Sequence, residues 1–188
     1  MNKPNIYLAL IHYPVINKFG DVITTSITNL DIHDISRSCL TFEVKNFFIV
    51  TPLSSQKEMI SRIREFWQTD AANNYNSFRS QALGIVKHAD TFNDVIKYIQ
   101  KQESNDPVVV GTTAIERNDQ INYGDFCKNY LAGSTPVLLL FGTGNGLAQS
   151  ILSECDLILK PVKGSGQYNH LSVRSAAAII LDRLSSVK

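Results

Sequence analysis

Three glycines at alternate positions, in Gly142-Thr143-Gly144-Asn145-Gly146, follow directly on the apolar run Val137-Leu138-Leu139-Leu140-Phe141. A second glycine-bearing loop, Lys163-Gly164-Ser165-Gly166, comes soon after a second apolar run, Leu157-Ile158-Leu159. Glycine has no Cβ, so such loops let main-chain groups approach a small molecule closely. Two of them at the carboxyl ends of parallel strands make a ligand site built mostly of backbone. The side chains that could add chemistry are few. Arg37 offers a planar donor fork for an oxyanion or a phosphate, against the plainer reading of a solvated helix arginine. His12 and His33 are candidate proton acceptors, against capping or packing roles. Tyr168, Asn169 and His170 could line the site or serve only as loop hydrogen-bonders. Lys18, Lys160 and Lys163 are loop cations that could meet phosphates, or simply aid solubility.

The elements that position these residues are bounded by composition. The chain has 188 residues, 44% hydrophobic and 19% charged, which suits one globular domain over residues 1–188. A formal charge of +1 excludes a strongly basic nucleic-acid module, though not a local basic patch. Cys39, Cys127 and Cys155 are odd in number and widely spaced, which favours reduced thiols in the cytoplasm and no metal site. The longest apolar runs, about five to six residues, fall far short of the roughly 20 that cross a bilayer. Met1-Asn2-Lys3-Pro4 runs straight into a strand-like stretch, so no signal peptide is expected.

Strands are expected at residues 6–11, 47–50, 82–86, 108–113, 137–141 and 156–159. Helices are expected between them. One covers residues 29–42, capped by Asn29 or Asp31; one opens on the capping-box pattern Ser55-Gln56-Lys57-Glu58; one follows Thr91 through Gln102. Residues 123–131 form another, ended by Gly133, and residues 171–184 form the closing helix. This alternation predicts a mostly parallel α/β sheet covered by helices on both faces.

The glycine run invites a dinucleotide-binding reading, which its position opposes. In that fold the loop follows the first strand, and here about a quarter of the chain remains after Gly142. The acidic residue expected about 20 positions later is missing as well.

Taken in order, the blocks resemble the SPOUT superfamily of RNA methyltransferases. Asn29-Leu30-Asp31-Ile32-His33-Asp34-Ile35-Ser36-Arg37-Ser38-Cys39 is similar to the first motif, with Arg37 at its arginine. Leu140-Phe141-Gly142-Thr143-Gly144-Asn145-Gly146-Leu147 is similar to the second. His170-Leu171-Ser172-Val173-Arg174-Ser175-Ala176-Ala177-Ala178-Ile179 is similar to the third, and Val110-Gly111-Thr112-Thr113-Ala114 to the strand end that meets the cofactor adenosine. The likeness is nearest to a stand-alone group similar to the C-terminal domain of tRNA guanine-N1 methyltransferase-like proteins. The ribose-methylating SpoU branch has a glutamate in the second motif and an asparagine where Ser172 stands, so base methylation stays open beside ribose methylation.

The resemblance implies a C-terminal deep trefoil knot and a homodimer that completes the active site. It implies S-adenosylmethionine bound by Thr112, Thr113, Gly142, Thr143, Gly144, Leu159, Lys160, Tyr168, Asn169, His170, Leu171 and Ser172. A side chain at Gly142 is expected to fill space meant for that ligand. Arg37 takes the catalytic role, and Lys18 and Lys163 contact phosphates of a tRNA or rRNA. The implied protein is cytoplasmic, with no metal and no membrane association. The alternative is a non-catalytic protein that binds an adenosine-like ligand or nucleotide in the same cleft.

Overall fold

The computed structural model describes residues 5–166 and 168–186. Its strands are β1 (Ile6–Ile11), β2 (Val15–Ile16), β3 (Val22–Ile23), β4 (Asn46–Val50), β5 (Val86–Ala89), β6 (Val108–Gly111), β7 (Gln120–Ile121), β8 (Val137–Gly142) and β9 (Leu157–Leu159). The helices are α1 (Asn29–Thr41), α2 (Ser54–Trp67), α3 (Asp70–Tyr75), α4 (Ser77–Gly84), α5 (Phe92–Glu103), α6 (Tyr123–Tyr130), α7 (Gln149–Leu152) and α8 (Val173–Ser186). Seven strands form one sheet in the order β5-β4-β1-β8-β6-β9-β7, and every neighbouring pair is parallel. β2 and β3 make a separate antiparallel ribbon.

Unbroken apolar runs are what a strand covered on both faces requires, and β1 and β8 at the centre are of that kind. Their residues sort by parity onto two faces. Leu8, Leu10, Phe47, Ile49, Leu139 and Phe141 pack in one core with Ile32 and Ile35 of α1, Phe126 of α6, and Ala177, Ile180 and Leu181 of α8. Tyr7, Ala9, Ile11, Phe48, Val50, Leu138 and Leu140 pack in the other, with Val95 and Ile99 of α5 and Ile151 of α7. Each such Leu or Ile, removed from water, contributes about 1.5–3 kcal/mol.

Several local expectations are corrected. α1 is capped by Thr28, whose hydroxyl accepts from the Asp31 amide, not by Asn29 or Asp31. α2 opens at Ser54 with no side-chain cap, because the cap position is Leu53, whose side chain accepts no hydrogen bond; Glu58 pairs forward with Arg62 at 2.6 Å. The strand expected at residues 82–86 is the end of α4, nucleated by the Asn76 cap; β5 begins only at Val86. β6 stops at Gly111, and Thr112 and Thr113 lie beyond it. α6 ends at Tyr130 on a Leu131 cap, so Gly133 caps nothing. α8 starts at Val173, and Ser172 accepts from the Ser175 amide at 3.2 Å just before it. Met1 to Pro4, where no signal peptide is expected, lie outside the described residues. No described helix is long and apolar enough to cross a membrane, and no described group of His, Cys, Asp or Glu could hold a metal.

Candidate functional site

The loops leaving β6, β8 and β9 converge at the carboxyl edge of the sheet, where open α/β folds hold ligands. With the start of α1 and the first turn of α8 they enclose a cleft of about 540 Å³. Its sheet side is made by Thr112, Thr113, Gly142, Thr143, Gly144 and Gly146, facing Asn169, His170, Leu171 and Ser172 from the loop before α8.

The glycine loop is held by its own backbone and by the β2–β3 ribbon. A Cβ on Gly142 would lie 2.7 Å from the Leu147 amide nitrogen and 2.9 Å from the Gly146 carbonyl carbon. Gly142 is therefore required by the tight turn, and a side chain there would displace the loop instead of filling ligand space. Gly144 has φ +60 and sits where a Cβ would come within 2.9 Å of the Ile16 carbonyl oxygen. Ile16 in turn donates to the Gly146 carbonyl at 3.0 Å and accepts from the Asn145 amide at 2.9 Å. The ribbon thus clamps the loop from outside the main sheet.

Hydroxyl bookkeeping fixes one histidine. Thr143 donates its hydroxyl proton to the Ile11 carbonyl at 3.1 Å. Thr25 must then donate to Thr143, and His12 Nδ1 must donate to Thr25 Oγ1 at 3.0 Å. His12 Nε2 is left as a buried lone pair with no partner among the described residues. Burial lowers the imidazole pKa to about 4, with the nearby Asp31 charge opposing that fall, so the ring is neutral at pH 7. His12 is buried and lies behind Thr25, outside the cleft lining. His33 packs edge-on to Trp67, and burial, helped by the Arg79 charge, lowers its pKa.

At the helical side of the cleft, Arg174 Nη1 donates to Asp31 Oδ1 at 2.8 Å, and Arg174 Nε lies 3.5 Å from Asp34 Oδ2. Asp31 Oδ2 accepts from the Thr28 hydroxyl at 2.6 Å, so the cap of α1 also fixes this carboxylate.

Of the expected residues, Thr112, Thr113, Gly142, Thr143, Gly144, Asn169, His170, Leu171 and Ser172 come together at the cleft. Leu159 is buried in the core, Lys160 is exposed beside the sheet, and neither lines it. Tyr168 is exposed and stacks edge-on against His170; with Lys163 and Arg183 it borders an adjoining recess of about 270 Å³. Lys163 pairs with Glu116, and Lys18 lies over its neighbour Phe19 on the ribbon turn. Arg37 is exposed on α1 and does not line the cleft. Six residues on from Asp31, it points about 120° around the helix axis from it. Thr25, Ser26, Asp31 and Arg174 line the cleft without having been expected there. Asp31 and Arg174 stand inside the first and third motif blocks, but nothing in those blocks marks either as a cleft residue.

Comparison with known proteins gives four findings. The model of a family described as SAM-dependent RNA methyltransferase matches residues 5–186. A tRNA (guanine-N(1)-)-methyltransferase of Nitratidesulfovibrio vulgaris is 42% identical over 185 residues, 97% of this chain and 43% of that protein. An uncharacterized protein of Aquifex aeolicus is 37% identical over 186 residues, 99% of this chain and 91% of that one. The chain thus spans less than half the length of the methyltransferase-named relative and nearly all of the other. Among solved structures, the SpoU methyltransferase AviRb of Streptomyces viridochromogenes, in complex with the cofactor AdoMet, is similar with a TM-score of 0.60 and 17% identity. That match covers 98% of this chain and 58% of AviRb, and it carries the fold.

Proposed function

This chain belongs to the family of SAM-dependent RNA methyltransferases, and we propose that it methylates a nucleotide of a structured RNA, tRNA or rRNA. The observation that carries this reading is the cleft at the exits of β6, β8 and β9, whose lining includes Gly142, Gly144 and Gly146 of the glycine loop. Its volume of about 540 Å³ suits a ligand of the size of S-adenosylmethionine. Gly146, at φ +121 with open space where a Cβ would stand, leaves the loop backbone approachable. The residues present fit the cofactor.

When bound, S-adenosylmethionine supplies a methyl group activated on a sulfonium, so side chains need only hold and orient the acceptor. Thr112, Thr113, Gly142, Thr143, Gly144, Asn169, His170, Leu171 and Ser172 hold the adenosine moiety. The Thr112 hydroxyl is tied to the Leu140 carbonyl at 2.8 Å, which keeps that wall rigid. Leu159 and Lys160 act only by carrying the chain into the loop before α8.

In this reading residues 1–188 act as one cytoplasmic domain, and α8 passes through the loop after Phe141 as a trefoil knot. Two copies pair. The exposure of Arg37 supports the pairing, because a catalytic role for it requires the cleft of a second copy. Lys18 and Lys163 meet RNA phosphates along that dimer. The tRNA name of the longer relative makes tRNA the first RNA to test.

Mass spectrometry of nucleosides from cells lacking the protein tests the reading. One methylated nucleoside should be missing and should return with the wild type but not with Arg37→Ala. Full restoration by Arg37→Ala would make Arg37 a plain surface residue. Cofactor binding without transfer to any cellular RNA would favour a non-catalytic sensor.

A further inference from the structure

Arg174 is the only lysine or arginine lining the main cleft among the described residues. Beside the strand exits and the loop before α8, the lining includes Thr25 and Ser26 from the segment leading into α1, Asp31 of α1 and Arg174 of α8. The strand exits and that loop are assigned to the cofactor above, which leaves these four residues for the acceptor.

The guanidinium is held from behind. Nη1 is engaged by Asp31 at 2.8 Å, and Nε faces Asp34 at 3.5 Å. Asp31 is fixed in its turn, since one oxygen accepts from Arg174 and the other from Thr28. One cation facing two carboxylates leaves the group formally negative, so an entering phosphate or carboxylate would gain little from it. Nη2 has no partner among the described residues, and the side chain stays one-third exposed. A planar donor whose charge is already offset suits a neutral oxygen with in-plane lone pairs. To be methylated, a ribose hydroxyl and a ring N–H beside a carbonyl must each lose a proton; the ring N–H is acid enough to give it up to water, whereas the hydroxyl, a far weaker acid, would need a strong base held close. Both Asp31 oxygens are engaged, and His12 Nε2 is buried away from the cleft.

We propose, resting on the methyl-transfer reading above, that Arg174 binds the ring carbonyl at the pairing edge of the acceptor base. The acceptor is then guanine, uracil or cytosine, the bases with such a carbonyl, not adenine and not a ribose hydroxyl. Asp31 and Asp34 are positioning residues that aim the fork.

The test uses the full chain, isotope-labelled S-adenosylmethionine and total RNA from cells lacking the protein. The methyl group should be found on guanine, uracil or cytosine. Arg174→Gln should lose roughly tenfold to a hundredfold in kcat/KM, and Arg174→Lys should recover part of it. Calorimetric affinity for S-adenosylhomocysteine should stay within about twofold in both variants, the range of an ordinary surface substitution. If Arg174→Gln does not fold, Arg174→Lys carries the comparison, because it keeps the charge and loses the fork. Label on ribose or adenine would overturn the proposal, as would wild-type kcat/KM in the folded variants. A fall in S-adenosylhomocysteine affinity equal to the fall in kcat/KM would reassign Arg174 to the cofactor carboxylate and overturn it too. Those results leave the methyl-transfer reading standing. No incorporation by the wild type into any RNA would overturn both.

Discussion

His12 illustrates how a residue can have the right chemistry for a proton acceptor and the wrong place for it. Its tautomer is dictated by a row of hydroxyls that ends on the Ile11 carbonyl, and its free nitrogen is buried. The cost of this arrangement is readable as pH dependence. The folded protein holds the ring neutral down to about pH 4, whereas the unfolded chain takes up a proton below about 6.5. Between those values the unfolded state binds more protons, so the stability is complete above pH 6.5 and is lost as pH falls. Relative to His12→Asn, the wild type should lose about 2 kcal/mol more on going from pH 7 to pH 5, by urea unfolding. Parallel pH profiles for the two proteins would refute this assignment. Gly142 makes the complementary point. Because its missing Cβ would meet backbone at 2.7 Å, Gly142→Ala should lower the melting temperature together with cofactor affinity. Lost affinity at an unchanged melting temperature would restore the simpler idea of a blocked pocket. Neither residue's role was legible in sequence, since both depend on neighbours that are distant along the chain. Arg174 was hidden for the same reason: its partners lie on α1, across the fold.

The legible elements are those whose signal is local and strong. β1, β4 and β8 announce themselves as apolar runs too short for helices, and α5 as an amphipathic stretch behind a true capping box at Thr91 and Asp94. The β2–β3 ribbon leaves no mark in the sequence, because two-residue strands carry no periodicity and are stabilised by the glycine loop they clamp. Residues 82–86 resemble a strand in sequence because a buried Ala82-Leu83 pair looks alike in a short strand and a short helix; the Asn76 cap decides it. α1 is the element on which most of the site depends. Thr28 both caps it and holds Asp31, which holds Arg174. Thr28→Ala should therefore cost about 1 kcal/mol, the usual loss for a cap. For a chain of this length that is roughly 2–4 °C in Tm, measured by circular dichroism. A larger drop in RNA methylation than in stability would separate the positioning of Arg174 from the capping of the helix.

At the scale of the whole molecule, the cleft and the motif arginine pull in different directions. The cleft is assembled within one chain, yet Arg37 stands on the exposed side of α1, turned away from it. Within a single copy these facts make Arg37 idle; with two copies related by a twofold axis, each Arg37 can reach the other's cleft. The sequence resemblance carried the arginine but not this geometry, because motif order says nothing of which copy a side chain serves. The two arrangements give opposite results on mixing. Arg37→Ala keeps an intact cleft, and Gly142→Val, with its loop displaced, keeps an intact Arg37. Each should be inactive alone. Unfolded together and refolded in equal amounts, half of the dimers should be mixed, each with one complete site, so about a quarter of the wild-type rate should return. Sedimentation of each variant as a dimer is the control. Activity restored to that level places Arg37 in its partner's cleft. No restoration from variants that do form mixed dimers means that Arg37 serves its own chain or none, and the paired active site falls with it.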